Sequence, residues 1–288
     1  MNLPAAVQVE GRVLTVRRSG HYHVLSIAVP GIADVAKPGQ FVTIAVGGEN
    51  SSMLLRRAFS IASVDDRSAY GGVIEIVVSG DGPGTKWLVN RHRDDHLNLV
   101  GPLGKPYPLP KNPVHAILIG GGYGAANLPW LAKALLQRGC RIETILGAAT
   151  DQKVYGQLET RRVGGLVTIT TDDGSIGTQG RVTDVLPAAF DRTNAAVVYA
   201  CGPMAMLQAI TEMAARYHAV VQAAVEESMA CGIGVCMTCV LPITDTSGVT
   251  RLVRSCTEGP VFDGASVRWN DVGKLPKDIY GAAGMSGH

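Results

Sequence analysis

From Val7 onward the apolar positions come in short runs rich in Val and Ile. Val7 to Arg17, His21 to Val29, Gln40 to Val46, Arg57 to Val64, Val73 to Ser79 and His96 to Val100 each read as a strand. Turns bearing Gly and Asp, such as Asp65-Asp66 and Gly71-Gly72, separate them, and strands at such short intervals predict a small antiparallel barrel. One helix-like segment, Thr85 to Asn90, follows the turn Gly80-Asp81-Gly82-Pro83-Gly84. Near Pro113 the rhythm changes. Val114 to Ile119 is an almost unbroken apolar run ending in Gly120-Gly121-Gly122-Tyr123-Gly124, and Leu128 to Gln137 then has helical spacing. Ile142 to Gly147, Leu166 to Thr171, Ala195 to Ala200 and Ala219 to Val225 repeat the buried-strand pattern, mostly with helices between them, which predicts a parallel sheet covered on both faces. From about Glu226 the text becomes a cysteine-bearing loop and a hairpin, Val240 to Arg254, turning at Asp245-Thr246-Ser247-Gly248. The fold class expected is multidomain β and α/β: a barrel over 1–110, a nucleotide-type α/β sheet over 111–225 and a small cysteine domain with a tail over 226–288.

Composition narrows this only a little. The longest apolar stretch, Val114 to Leu136, holds a run of glycines, Pro129 and Lys133, so it reads as a β-turn-α unit and not as a membrane span. The chain opens Met1-Asn2-Leu3-Pro4 without a basic, then apolar, leader, and a cytoplasmic location is expected. A net charge of +2 gives no basis for a nucleic-acid or anionic-membrane partner.

The cysteines carry the sharpest chemistry. Four of the six are spaced Cys231-x4-Cys236-x2-Cys239-x16-Cys256, which is the plant-type arrangement for a [2Fe–2S] cluster. Each iron needs two thiolates, and Gly232 and Gly234 let loop amides approach sulfur closely. A zinc clasp is the alternative, but zinc sites usually pair their ligands as two short hooks, whereas here three cysteines stand together and one returns. Cys140, after a helix and Gly139, reads as a small buried residue.

A glycine cluster after a buried strand and before a helix suits a pyrophosphate, and Gly120, Gly122 and Ala125 fit G-x-G-x-x-A. A tight turn without a ligand explains that pattern equally well. Asp151 is the nearest acid to the end of the second strand, and capping of the next helix accounts for it, so NAD and NADP both stay open. In the barrel, Arg56-Arg57-Ala58-Phe59-Ser60 groups arginines, an aromatic and a hydroxyl. These can meet a pyrophosphate and a flavin ring, or can belong to a solvated strand. The Gly82-Pro83-Gly84-Thr85 turn is a further anion candidate. Cys201, ending a strand, either approaches a nicotinamide or packs, and Glu226 and Glu227 either face a flavin or are solvated. Trp87 and Trp130 read as packing residues and His21-x-His23 as surface. No Ser-His-Asp or paired-carboxylate site stands out, so no catalytic acid or base is assigned.

Taken in order, these segments resemble a known family. Arg57-Ala58-Phe59-Ser60 resembles the R-x-[YF]-S flavin motif of the ferredoxin-reductase-type superfamily, Gly120 to Gly124 its nicotinamide loop, and Cys201-Gly202-Pro203-Met204-Ala205-Met206 its C-G-P-x-x-M segment. More specifically, the set resembles the electron-transfer subunit of class 1B, NAD-dependent, dihydroorotate dehydrogenase. Arg56 to Ser60, Asp81 to Thr85, Gly101 to Gly104, Gly120 to Gly124, Asp173 to Gly180, Glu226 to Cys239 and Cys256 to Phe262 match that family's motifs in sequence.

The resemblance implies that FAD is held by Arg57, Ala58, Phe59 and Ser60, by Val77, Val78 and Ser79, and by Gly84 and Thr85. It places NAD, as substrate, at Gly120, Gly122 and Gly124, and a [2Fe–2S] cluster on Cys231, Cys236, Cys239 and Cys256. It also implies a separate FMN-containing catalytic subunit that oxidises dihydroorotate, with the two kinds of chain assembled as a heterotetramer in pyrimidine biosynthesis. Ala58 in place of a proline, Ser79 in place of a frequent arginine, and Ala126-Asn127 in place of a proline pair depart from the family pattern. The tail from Ser266 has no counterpart. The same order of parts would serve the reductase subunit of a hydrogenase, sulfite reductase or ferredoxin-NADP system. A non-catalytic protein with a zinc clasp is the rival of another class, and iron with acid-labile sulfide separates it from the others.

Overall fold

The computed structural model describes residues 5–48, 51–276 and 278–280. Of the tail, residues 277 and 281–288 lie outside the described residues. The first block contains β1 (Val7–Ser19), β2 (Tyr22–Ala28), β3 (Phe41–Ile44), β4 (Arg57–Asp65), β5 (Val73–Val78), α1 (Pro83–Val89) and β6 (His96–Leu103). The strands close into an antiparallel barrel in the order β1-β2-β5-β4-β3-β6. Closure leaves no unpaired edge, and side chains alternate between lumen and exterior. Leu25, Ile27, Ile44, Ile61, Ile74, Ile76 and Leu99 fill the lumen with no exposure to solvent. Trp87 and Trp130 pack against that core from outside, as packing residues should.

The second block contains β7 (His115–Gly121), α2 (Leu128–Gln137), β8 (Arg141–Ala148), α3 (Gln157–Val163), β9 (Leu166–Thr171), β10 (Thr178–Gln179), α4 (Val182–Thr193), β11 (Val197–Cys201), α5 (Met204–Arg216) and β12 (Val220–Ala224). The third supplies β13 (Val240–Thr244), β14 (Thr250–Arg254), α6 (Ser255–Glu258) and β15 (Val261–Asp263). The large sheet runs β10-β9-β8-β7-β11-β12-β15, with only β15 antiparallel to its neighbour. Its central strand is buried on both faces. Ile117 and Ile119 pack on the α4 and α5 side, and Ala116 and Leu118 on the α2 side. The chain moves outward one way from β7 through β8 and β9, then returns to the other side at β11. Such a reversal opens a crevice at the carboxyl ends of the strands, where ligands bind in open α/β sheets.

The cysteine-bearing block is held to both of the others. β15 extends the sheet beside β12, and the Lys105 amide donates to the Gly259 carbonyl at 2.5 Å. Gly232 sits so close to the barrel that a Cβ there would come within 2.5 Å of the Thr43 methyl, and its φ of +74° lies in the left-handed region that glycine tolerates. No helix among the described residues is long and apolar enough to cross a membrane.

Candidate redox site

Two cavities meet where the barrel faces the sheet. One, of about 300 Å3, is a slot between strand β4 and the loop after β7. Ala58, Phe59, Ser60 and Val77 line it from the barrel, and Gly124, Asn127 and Cys201 from the sheet. Ser60 is exposed, and its hydroxyl has no partner among the described residues. Asn127 is buried with its Oδ1 unpaired. A flat ring with hydrogen-bonding edges fits such walls. Burial, with Glu226 nearby, pushes the Cys201 thiol up to about 12, so it stays neutral.

The arginines and the turn before α1 are arranged locally. The Arg56 guanidinium turns away to the Asn98 carbonyl, at 3.0 Å, and to the Asn98 side chain. Arg57 instead lies along the start of α1, its Nε 3.2 Å from where a Cβ on Gly84 would stand. Any larger residue at Gly84 would also meet Val46 at 2.9 Å. Thr85 Oγ1 accepts from the Gly82 amide at 3.0 Å, and Ser79 Oγ donates to Asp81 at 2.5 Å. Arg57 meets Gly84 at the start of α1, and none of Arg57, Ser79, Gly84 and Thr85 lines the slot. Val78 is different, because strand alternation turns its side chain into the barrel core.

The other cavity, of about 510 Å3, is the crevice at the strand ends. Gly121, Gly122, Gly147, Thr170, Asp172, Arg181 and Met206 are among its walls. Of the three glycines proposed for the nucleotide, Gly122 lines this crevice and Gly124 lines the slot. Gly120 lines neither. It is needed for packing, since a Cβ there would lie 2.5 Å from that of Ala125. The loop itself winds as a 3-10 turn, Gly122–Asn127, before α2 begins. Asp151 does not reach the crevice: its Oδ1 accepts from the Gln152 amide at 2.6 Å.

Among the described residues, Tyr123 and Glu226 alone line both cavities. The Tyr123 hydroxyl donates to Glu226 Oε2 at 3.3 Å, and Tyr22 packs edge-on against Tyr123 at 6.2 Å between ring centres. Burial raises the Glu226 carboxyl above its ordinary range, and the Tyr123 hydrogen bond opposes that rise. Sequence reading missed this partition and Tyr22, and met Asn127 only as part of the Ala126-Asn127 departure; their places come from tertiary neighbours.

The four cysteines come together as two pairs. The amides of Val235 and Cys236 both point at Cys231 Sγ, at 3.4 and 3.5 Å, and place Cys236 beside Cys231. Cys239 and Cys256 are buried together against Phe41 and Leu103. Among the described residues, no three metal-ligating side chains close on one point. Two pairs suit a two-iron cluster, in which each iron takes two thiolates. The Thr238 hydroxyl, followed by its amide and Cys231, lowers the Cys236 thiol to about 6, favouring the thiolate that a metal needs.

A flavin-type barrel, a nucleotide crevice and a paired-cysteine loop on one chain define the ferredoxin-reductase-like class of redox proteins. Residues 226–268 match the family model described as the iron-sulfur cluster binding domain of dihydroorotate dehydrogenase B. The chain is 38% identical over 242 residues to the dihydroorotate dehydrogenase B (NAD(+)) electron transfer subunit of Geobacillus thermodenitrificans, covering 82% of this chain and 88% of that one. It is 34% identical to the corresponding subunit of Desulforamulus reducens, over 86% and 92% of the two chains. Among solved structures, it resembles the NADH-dependent reduced ferredoxin-NADP oxidoreductase studied for flavin-based electron bifurcation, with a TM-score of 0.80, 27% identity and 96% of each chain covered. A ferredoxin reductase of carbazole 1,9a-dioxygenase shares the fold, with a TM-score of 0.64, 22% identity and coverage of 76% and 68%. The chain belongs to the family of dihydroorotate dehydrogenase B electron transfer subunits. FAD and a [2Fe–2S] cluster are its cofactors, and NAD is its nucleotide substrate.

Proposed function

We propose that this chain carries electrons between NAD and a separate FMN-containing subunit that oxidises dihydroorotate, within a cytoplasmic heterotetramer of pyrimidine biosynthesis. Residues 1–110 hold FAD, 111–225 receive NAD, and 226–288 carry the cluster. When bound, the flavin exchanges a hydride with the nicotinamide and single electrons with the cluster. The protein's part is placement. Arg57, with Gly84 and Thr85 beside it, holds the flavin pyrophosphate. Phe59 and Ser60, with Ala58 and Val77, flank the ring. Gly122 and Gly124 give the nicotinamide its approach, and Cys231, Cys236, Cys239 and Cys256 hold the irons.

One observation carries this reading. Phe41 lines the flavin slot and also packs against Cys239 and Cys256. Phe41, with Met229 beside it, thus stands between the slot and the buried cysteine pair. The isolated chain should oxidise NADH with artificial acceptors but leave dihydroorotate untouched. Adding the matching FMN subunit should then create dihydroorotate:NAD activity. Dihydroorotate oxidation by the chain alone would overturn the division of labour. The likeness to the ferredoxin-NADP oxidoreductase over nearly the whole chain favours a second reading, a reductase subunit serving a ferredoxin-linked complex. Electron flow restored only by such a partner would establish it.

A further inference from the structure

The loop that carries the glycine cluster ends in a side chain for which the fold itself has no use. Asn127 closes the 3-10 turn and stands immediately before α2, where an asparagine ordinarily caps the helix through its side-chain oxygen. It makes no such cap. The side chain is 1% exposed and lines the flavin slot instead. Its Nδ2 is turned to Cys201 Sγ at 4.0 Å, and its Oδ1 has no hydrogen-bond partner among the described residues. The Tyr107 hydroxyl, near both Asn127 and Cys201, is buried without a partner as well. A buried amide oxygen left unpaired is costly, and against a cavity wall it marks a place for a donor. Ala126-Asn127 also replace the proline pair of the family pattern, and a proline side chain has neither donor nor acceptor. The amide is this chain's own addition to the slot.

Asn127 belongs to the sheet-side wall of the slot, with Gly124 and Cys201, and the nucleotide crevice opens onto that side at Tyr123 and Glu226. We infer that Asn127 accepts a hydrogen bond from the flavin ring nitrogen that gains its N–H on reduction, and so raises the reduction potential of the flavin. Oxidation of NADH breaks a C–H bond of the nicotinamide ring. The hydride carries two electrons and that hydrogen to a flavin ring nitrogen, and NAD+ leaves. An acceptor oxygen facing that nitrogen meets a lone pair while the ring is oxidised and an N–H once it is reduced. It therefore holds the reduced ring more tightly than the oxidised one. This rests on the reading of the slot as the flavin site, and adds to it a residue that sets the cofactor's potential.

The test uses the whole chain loaded with FAD and cluster. The flavin potential is read by redox titration followed at the flavin absorbance, and the FAD affinity of the oxidised chain by equilibrium dialysis. Asn127→Leu keeps the approximate volume and removes both polar ends of the amide; Asn127→Ala removes them without asking a larger apolar side chain to fit. Each should lower the potential by about 30 mV. That is the equivalent of a tenfold loss of affinity for the reduced ring relative to the oxidised one, the size expected of one hydrogen bond. Cys201→Ala, which removes the partner of Nδ2 and leaves Oδ1 in place, should move the potential much less. Unchanged iron content and melting temperature show that each variant is folded. An unchanged potential in both Asn127 variants with FAD still bound overturns the assignment and spares the proposed function. So does a loss of affinity for oxidised FAD as large as the loss for the reduced form, since the contact would then be indifferent to redox state. A wild-type chain that takes up no FAD overturns both.

Discussion

Glu226 sits where solvation is poor and the Tyr123 hydroxyl is its one hydrogen-bonding partner among the described residues, so its proton is held more tightly in the folded chain than in the unfolded one. A carboxyl raised in this way contributes stability at low pH and loses it as pH climbs from the ordinary value of 4.5 through the raised one. Gln keeps the shape and cannot ionise. Glu226→Gln should therefore melt close to the wild type at acid pH and increasingly above it toward neutrality, in paired thermal scans across pH. A gap that does not change with pH would mean that the carboxyl is solvated after all. Arg57 makes the complementary case. Arg57→Ala should weaken FAD by about one to two decades, for a charge-assisted hydrogen bond of roughly 1.5–3 kcal/mol, without unfolding the barrel. Flavin occupancy after dialysis reads it directly. Arg57 could be proposed from the sequence because it stands in a contiguous motif, Arg56 to Ser60. Tyr22 could not, because it meets Tyr123 only through a strand far away in the chain, and Asn127 stood out only as part of the Ala126-Asn127 departure.

Elements were legible to the extent that they bury their own pattern. The barrel strands and the central strand β7 carry enough Val and Ile to announce themselves. β10 and β15, of two and three residues, exist only because a neighbouring strand is there to pair with. The loop after β7 shows the same dependence on context. Its glycines suggest a phosphate turn, yet the structure uses Gly124 for close approach to another strand. A Cβ on Gly124 would come within 2.6 Å of the Cys201 carbonyl oxygen and 2.9 Å of the Gly202 Cα. Neither is the yielding tip of a side chain, so the loop itself must move. Gly124→Ala should cost about 1–3 kcal/mol, the usual range for overpacking, and widen the slot. Denaturant melts should show the first effect, and faster flavin loss on dilution the second. An alanine variant with unchanged stability would show that the loop shifts freely and that its geometry is not fixed by β11.

At the scale of the whole molecule, the cysteine loop faces outward while its buried pair faces the flavin slot. Cys236 is exposed, and around it Ile233, Val235 and Met237 are 52%, 75% and 52% exposed. Three apolar side chains left in water beside the metal loop form the kind of surface expected to meet the proposed partner subunit. Electron transfer from a partner would use this face, since Cys239 and Cys256 are already turned toward Phe41. Two variants separate holding the cluster from docking the partner. Cys236→Ser should lose iron and keep FAD, because Cys236 does not line the flavin slot; unchanged iron content would mean that the ligand set is wrong. Val235→Asp should keep iron, flavin and NADH oxidation with artificial acceptors, because the Val235 side chain is exposed and lines neither cavity, and the contact to Cys231 is made by its backbone amide, which the substitution retains. It should nonetheless weaken association with the FMN subunit and lower dihydroorotate:NAD activity at limiting partner concentration, because a carboxylate would be buried in an apolar contact. Raising the partner concentration should restore the rate if docking alone is affected. A Val235→Asp chain that binds its partner as tightly as the wild type would place the interface elsewhere on the molecule.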